Sequence, residues 1–512
     1  MTTMEGKGPA KGKAAIPSHI FREYDIRGIA GTDLTPAVVE AIGRAYAHLL
    51  REAHPALPVG RRPRVAVAGD VRLSSPEVTS ALMQGISSQE LDIFYLGVCP
   101  TPLLYFSLFQ LEVEGGIMVT GSHNPPEYNG LKICVGRETI HGPTIQRLRE
   151  FASQSPPKSR RKKGIIENYP IIPHYLAWMN EHFQTLTSAS ATGPKADAAR
   201  PIKVVVDAGN GTGGLVAPAL LRSLGCRVAE LYCEPDGSFP HHHPDPSLPE
   251  NLTDLRGRLQ AEEADLGIAY DGDADRIGVL DPQGEIIWGD RLMILFARDL
   301  LSPPPQPRIG PPVFIGEVKC SQVMYEEIER LGGVAIMSRT GHSPIKQLMR
   351  EKHALLAGEM SGHLFFADRY FGYDDAIYAS ARLIEVLRRR ESSITKLLAD
   401  LPETYATPEI RLDCPDDQKF LLMEQLRQSL TSPSSPKPPL PLQKIITIDG
   451  LRLVFAGGWG LVRASNTQPA LVLRFEASTP EALEQIRRWL EGIVSRMQVE
   501  AEVEVKHRSK FP

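Results

Sequence analysis

Residues 115–132 read GGIMVTGSHNPPEYNGLK. The apolar run Ile117-Met118-Val119 gives way at once to Thr120, Gly121, Ser122, His123 and Asn124, and two prolines follow. A strand that ends in small polar residues delivers a loop to the sheet edge where α/β proteins hold ligands. Pro125 and Pro126 disfavour an early helix start and hold the loop in one shape. Ser122 is therefore a hydroxyl on a stiff loop, with an imidazole beside it and Lys132 ten residues on.

On both sides of this stretch, strand-like runs alternate with helical ones. RVAVAGD (64–70) precedes PEVTSALMQGISS, KVVVDAGNG (203–211) leads into GLVAPALLRSLG, and PVFIGEVK (312–319) precedes SQVMYEEIERLG. This alternation indicates α/β units with mainly parallel sheets and chemistry at the carboxyl ends of strands. GGIMVTGSH (115–123) echoes GGVAIMSRTGHS (332–343), which suggests duplicated α/β units. Later the character changes: TPEIRLDC, IITIDGLRLVF, GWGLVRAS and ALVLRFEAS, then the helix-like PEALEQIRRWLEGIVSRM, indicate a small antiparallel sheet covered by helices.

A chain of 512 residues exceeds one hydrophobic core and should divide into several domains. The expected division is a disordered tail (1–16), α/β domains over 17–165, 166–285 and 286–405, and an α+β domain over 406–512. The Pro-, Ser- and Ala-rich stretches 185–201, 301–312 and 430–443 read as exposed irregular chain. Net charge is −4, so there is no global basic field for nucleic acid, and KSRRKK (158–163) reads as a solvated loop. Six cysteines without CxxC spacing favour buried free thiols in a reducing compartment. With no long apolar run and no apolar segment at the start, neither a membrane span nor a secretory signal is expected, which points to a cytoplasmic location.

DGDADR (271–276) places Asp271, Asp273 and Asp275 at alternate positions after LGIAY. In an extended segment, alternate side chains point the same way, so three carboxylates would converge. Such crowding is unfavourable without a cation, and a hard divalent ion such as Mg²⁺, one per chain, relieves it. An EF-hand fails here, because Arg276 stands where Gly is needed and Pro282 where Glu is needed. Arg276 is a charge partner for the acids. The alternative is an acidic turn.

RASNTQP (463–469) joins two strands and offers Arg463, Ser465, Asn466 and Thr467, donors that suit a phosphate; otherwise it is a polar hairpin turn. In GEMSGH (358–363), Glu359 and Ser361 are placed to grip sugar hydroxyls, and His363 to carry a proton; the alternative is a flexible surface loop. FREYDIRG (21–28) carries Tyr24 and Arg27, which on their own read as part of an N-terminal strand. GNGTGG (209–214) after a strand satisfies a dinucleotide fingerprint, with Glu230 near the ribose-binding position, but it leaves the aspartates unexplained.

Together these segments resemble the α-D-phosphohexomutase family, most closely its bifunctional phosphomannomutase/phosphoglucomutase branch. The resemblance runs in order from FREYDIRG to RASNTQP, with TGSHNP and DGDADR its most specific parts. It implies three similar mixed α/β sheet domains and a C-terminal α+β domain around a central cleft. It implies interconversion of hexose 1-phosphates and 6-phosphates through a phosphoserine at Ser122, with a hexose 1,6-bisphosphate as intermediate and activator. Asp271, Asp273 and Asp275, with a phosphate oxygen on Ser122, resemble the Mg²⁺ ligands. Glu359 and Ser361 resemble the sugar-hydroxyl contacts, and Arg463, Ser465, Asn466 and Thr467 the site for the non-reacting phosphate. Tyr24, Arg27, His123, Lys132, Lys319, His342 and His363 resemble the cleft lining near phosphoserine or substrate. Gln468 departs from the family, which often has Thr there. The implied partners are small-molecule sugar phosphates, the implied state a monomer with a dimer as alternative. A serine hydrolase with metal ions, a nicotinamide dehydrogenase and a silent sugar-phosphate-binding protein are the competing classes.

Overall fold

The computed structural model describes residues 16–54, 61–154, 162–184, 186, 200–302, 310–432, 436–466 and 468–508, with side chains to residue 499. The expected tail (bar Ile16), most of KSRRKK and of 185–201, parts of the other two Pro-rich stretches, and Thr467 lie outside the described residues.

Three sheets repeat one pattern. In the first, Arg64–Gly69 pairs in parallel with Asp92–Val98 on one side and with Gly115–Val119 on the other, and Tyr128–Val135 returns antiparallel. The second repeats this with Lys203–Asp207, Arg227–Leu231, Leu266–Tyr270 and Ile277–Leu280. The third uses Val313–Glu317, Val334–Ser338, Leu356–Gly358 and Leu364–Phe366. The central parallel strands are buried on both faces, as with Val204, Val205 and Val206 at 0% exposure, because helices cover both sides.

The repeat fixes where chemistry can gather. In each unit the turn from the last parallel strand into the antiparallel return carries a candidate motif: TGSHNP in the first, DGDADR in the second, EMSGH in the third. Duplicated units are therefore present, but the echo between 115–123 and 332–343 joins strands that are not equivalent. Val334–Ser338 occupies the place of Asp92–Val98, not of Gly115–Val119. The echo therefore reports similar strand chemistry rather than the same position in the repeat.

The fourth sheet is an antiparallel meander of Leu442–Ile446, Leu451–Phe455, Gly458–Ala464 and Ala470–Ala477. Tyr405–Ala406 and Ile410–Asp413 pair with its last strand, and helices Lys419–Thr431 and Pro480–Arg508 cover it. The expected boundaries need correction. Ile166–Asn168 pairs in parallel with Asp92–Val98, so the cut after 165 leaves it with the wrong sheet. Ile286–Ile287 likewise belongs with Ile277–Leu280, and the cut after 405 splits Tyr405–Ala406. Edge strands of two or three residues are too short to show a periodicity.

One apolar core runs through the three α/β units, including Phe106, Tyr175, Tyr270, Phe296 and Tyr378. The fourth domain has its own, around Leu453, Phe475, Ile486 and Leu490. Buried Arg452 docks it onto the third unit, lying 3.8 Å over Trp459 and donating to the carbonyls of Val318 and Cys320 at 2.5 and 2.8 Å. All six cysteines are buried and free. Among the described residues no helix is long and apolar enough to cross a membrane.

Candidate active site

Ser122 sits in a left-handed conformation, φ 49°, which a non-glycine residue adopts only when its surroundings hold it there. The holder is Arg72. Its guanidinium, fully buried, donates to the carbonyls of Ser122 (2.8 Å), Tyr128 (2.9 Å), Pro125 (2.5 Å) and Asn124. Asp70 completes the clamp by accepting from the Gly121 amide at 3.1 Å and the Arg72 amide at 3.0 Å. Neither residue was singled out from sequence. The available signal was their place in GDVR, at the carboxyl end of the strand Arg64–Gly69.

The Ser122 hydroxyl donates to Asp271 Oδ2 at 2.8 Å and lies 3.1 Å from His123 Nδ1. Close approach of the two loops depends on Gly272, since a Cβ there would lie 2.5 Å from the Ser122 carbonyl oxygen. The three aspartates converge as expected, but through a turn, not an extended segment. Asp271 Oδ1 accepts from the amides of Asp275 and Arg276, each at 3.1 Å, and Ala274 takes φ 57°, so the loop wraps around the first carboxylate.

Asp271, Asp273 and Asp275 are all 0% exposed, and one oxygen from each lies within 4.8 Å of the others. Lys132 stands between Asp273 (2.6 Å) and Asp275, and Thr101 Oγ1 donates to Asp273 at 2.6 Å. Burial, and then the charges of Asp275 and Asp273, push the Asp271 carboxyl well up. Burial opposes ionisation at Asp273 too, but Lys132 and Thr101 outweigh it and hold that carboxyl low. Burial likewise works against the Lys132 charge, and Asp273 and Asp275 more than restore it. Asp273 Oδ1 and Asp275 Oδ1 are buried with no hydrogen-bond partner. Hard anionic oxygens left unsatisfied in a dry site fit a divalent cation.

The third unit supplies the opposite wall. Glu359 accepts from the Gly341 amide at 2.6 Å and from Ser361 Oγ at 3.2 Å. Arg276 Nε donates to His363 Nε2 at 3.0 Å, which leaves the ring proton on Nδ1, 3.2 Å from Asp374 and 3.6 Å from Asp275. Burial disfavours the imidazolium at His363, yet Asp275 and Asp374 raise its pKa above the usual value. At His123 and His342 burial wins, and neighbouring Arg276 or Lys346 pushes the same way, so both are held neutral. Arg27 donates to Asp25 at 2.7 Å and to the Gly121 carbonyl, behind the Ser122 loop.

Tyr24 ties the first, third and fourth domains. Its hydroxyl donates to the Thr340 carbonyl at 2.8 Å and accepts from Asn466 Nδ2 at 2.7 Å. Gly341, φ 126°, makes room: a Cβ there would lie 2.6 Å from the Tyr24 ring. Arg463 pairs with Asp449 at 2.9 Å, and the same carboxylate oxygen takes the Thr340 amide at 3.1 Å. Lys319 pairs with Glu409 at 2.5 Å and Glu317 at 3.4 Å, and Glu317 accepts from the Met360 amide at 3.0 Å. Ser465 Oγ accepts from the Gln468 amide at 3.1 Å within its own loop. Asp374, Glu317, Glu409 and Asp449 were not foreseen; no motif marks them, and only the fold brings them beside the predicted residues.

The glycine-rich GNGTGG is a buttress. The Thr212 amide and hydroxyl both donate to the Gly272 carbonyl, at 3.0 and 3.2 Å, which supports the aspartate turn and spends a donor a pyrophosphate would need. Glu230 pairs with Arg222 at 2.5 Å on the exposed surface. GNGTGG therefore serves the aspartate turn rather than a dinucleotide.

Known families match all four parts of the chain. Phosphoglucomutase/phosphomannomutase alpha/beta/alpha domains I, II and III match residues 18–154, 180–284 and 288–405, and the C-terminal domain matches 409–490. Phosphomannomutase/phosphoglucomutase of Pseudomonas aeruginosa is 44% identical over 92% of this chain and 94% of its own. Phosphoglucomutase of Neisseria gonorrhoeae is 40% identical over 94% and 98%. The crystal structure of a phosphoglucomutase/phosphomannomutase family protein from Burkholderia thailandensis has a TM-score of 0.81 at 38% identity, covering 94% of this chain and 98% of that one. This chain belongs to the phosphoglucomutase/phosphomannomutase family.

Proposed function

We propose that the chain is an isomerase that interconverts hexose 1-phosphates and hexose 6-phosphates, of mannose, glucose or both, through phospho-Ser122 and a hexose 1,6-bisphosphate. The observation that carries this reading is the 2.8 Å contact between Ser122 Oγ and Asp271, made inside a buried three-carboxylate cluster. The names and identities of the relatives support it.

In this reading, Asp271, Asp273 and Asp275 hold one Mg²⁺ together with a phosphate oxygen on Ser122. When bound, the ion neutralises charge on the transferring phosphoryl group. Lys132 and Arg27 balance the remaining oxygens. The sugar phosphate anchors its distal phosphate on Arg463, Ser465, Asn466 and Thr467, with Lys319, Tyr24 and His342 alongside, and rests its hydroxyls on Glu359 and Ser361. The bond from Ser122 Oγ to phosphorus breaks as the bond from the sugar oxygen to phosphorus forms. The sugar hydroxyl gives up its proton, with His123 as the acceptor, or His363 once Arg276 releases its Nε2, and Ser122 Oγ recovers one. The bisphosphate then turns and returns its other phosphate to Ser122.

A coupled assay with glucose 1-phosphate and mannose 1-phosphate, with and without a trace of glucose 1,6-bisphosphate, tests this. Formation of the 6-phosphate, activated by the bisphosphate, is expected. Net release of inorganic phosphate would identify a hydrolase instead.

A further inference from the structure

Two contacts from His363, the first and third α/β units enclose a second cavity, of about 740 Å³. Its walls are aromatic. Tyr105 and Phe109 come from helix Thr101–Gln110, and Phe371 and Tyr373 from the segment after Leu364–Phe366. Phe109 stacks on Phe371 with centroids 4.5 Å apart, and Tyr105 meets Tyr373 at 5.4 Å. An apolar cavity of this size with a few convergent polar groups is the usual form of a small-molecule site.

The polar groups say which molecule fits. Tyr105, 3% exposed, has a buried hydroxyl with no hydrogen-bond partner, although buried tyrosines normally find one. Lys346 Nζ lies 4.1 Å from the centre of the Tyr105 ring. At the mouth, Arg137 lies over Phe109 at 4.7 Å, and Arg350 reaches across from the third unit to pair with Glu138 at 2.9 Å. Lys346, Arg137 and Arg350 stand against Glu138 in the lining and Asp374 behind Lys346, which leaves a net positive charge, and both arginines can fork onto an acid group.

The cavity floor is also connected to the candidate active site. Lys346 holds Asp374 Oδ1 at 3.1 Å, and Asp374 Oδ2 lies 3.2 Å from His363 Nδ1. A ring packed against Tyr105 competes with the Lys346 ammonium for that ring, so its binding shifts Lys346, weakens the hold on Asp374, and with it the setting of His363. We propose that this cavity binds a planar aromatic molecule carrying an acidic group, its ring among Tyr105, Phe109 and Phe371 and its acid on Arg137 and Arg350, and that its binding changes turnover through Lys346 and Asp374. The site itself is independent of the mutase reading; only the effect on turnover rests on it.

The test uses the full chain and 2-naphthalenesulfonate as the probe, followed by titration calorimetry in excess glucose 1,6-bisphosphate, which fills the sugar-phosphate cleft. Expected are saturable binding at one site per chain, at least tenfold weaker binding in R137A/R350A, and a change in kcat of at least twofold at saturation in the intact protein but not in that variant. Both arginines are exposed and the Arg350–Glu138 pair is a surface one, so the variant keeps its fold and its probe-free turnover. F371A, which removes an aromatic wall and no charge, should weaken the probe as well. No saturable binding, loss of binding to the bisphosphate, or equal binding in R137A/R350A overturns the site. Binding with unchanged kcat overturns the coupling alone, and absent turnover leaves the binding result to decide the site.

Discussion

Ser122 and Asp271 belong to different α/β units, and the hydroxyl of one donates to the carboxylate of the other at 2.8 Å. Each lies on the same turn of its own unit, after the last parallel strand. The repeat thus brings the Ser122 loop and the three-aspartate loop to one point, and Gly272 lets their backbones touch. Asp271→Asn keeps an oxygen for the amides of Asp275 and Arg276 and removes the charge. Turnover should fall about 10²–10³-fold with little change in stability, as when one electrostatic contributor is lost. Chelation of the intact protein should abolish turnover, and added Mg²⁺ should restore it; steady-state kinetics beside a Mg²⁺ titration checks both.

Arg72 carries the Ser122 loop on four carbonyls. Lysine has no planar fork and cannot serve them all, and each buried carbonyl left unpaired costs about 1–3 kcal/mol. Arg72→Lys should therefore lose about 3 kcal/mol in stability and a large part of kcat, while KM for the sugar phosphate moves little. Unfolding midpoints and a kcat and KM pair measure this directly.

The loss of the Tyr24 hydroxyl should act on the opposite end of the cleft. It joins Thr340 of the third unit to Asn466 of the fourth domain through two hydrogen bonds, each worth about 1 kcal/mol. Tyr24→Phe should raise KM about tenfold with a smaller effect on kcat. A larger effect on kcat than on KM would place Tyr24 at the reacting phosphoryl instead.

A pH dependence follows from Asp375, which caps helix Ala376–Arg390 and is 1% exposed. Burial pushes its carboxyl up to about 6, against hydrogen bonds from the Tyr378 amide and the hydroxyls of Tyr370 and Tyr175. The unfolded chain loses this proton near ~3.9. Between those values the folded state holds a proton that the unfolded state has released, so this contribution is present in full below the lower value and lost as pH rises through the upper. It amounts to about 3 kcal/mol at most. Asp375→Asn, which still caps the helix, should gain in thermal midpoint relative to the intact protein as pH goes from 4 to 7.

What could be read in advance follows a physical line. Residues whose role depends on local chain geometry, such as Ser122 between a strand and two prolines or the aspartates of one turn, show in a short segment of sequence. Even there the reason differed: the acids converge because amides wrap Asp271, not because a strand alternates. Residues that act across units were not legible. Glu409 and Asp449 stand alone in sequence and meet Lys319 and Thr340 only when the fourth domain meets the third unit, whereas Arg72 and Asp374 bond within their own units to residues far off in the chain. GNGTGG matches a dinucleotide fingerprint without serving one, since a tight turn beside a neighbouring backbone needs the same glycines as a phosphate loop.

The central claim is that Ser122 carries the phosphoryl group. Incubate the protein with glucose 1,6-bisphosphate labelled in its phosphates and Mg²⁺, then map the label by peptide mass spectrometry before and after a chase with glucose 1-phosphate. We predict one phosphoryl group per chain, on the peptide containing Ser122, discharged to the sugar at the rate of turnover. A protein that turns over with Ser122 unlabelled, or with label that the sugar does not discharge, contradicts the account.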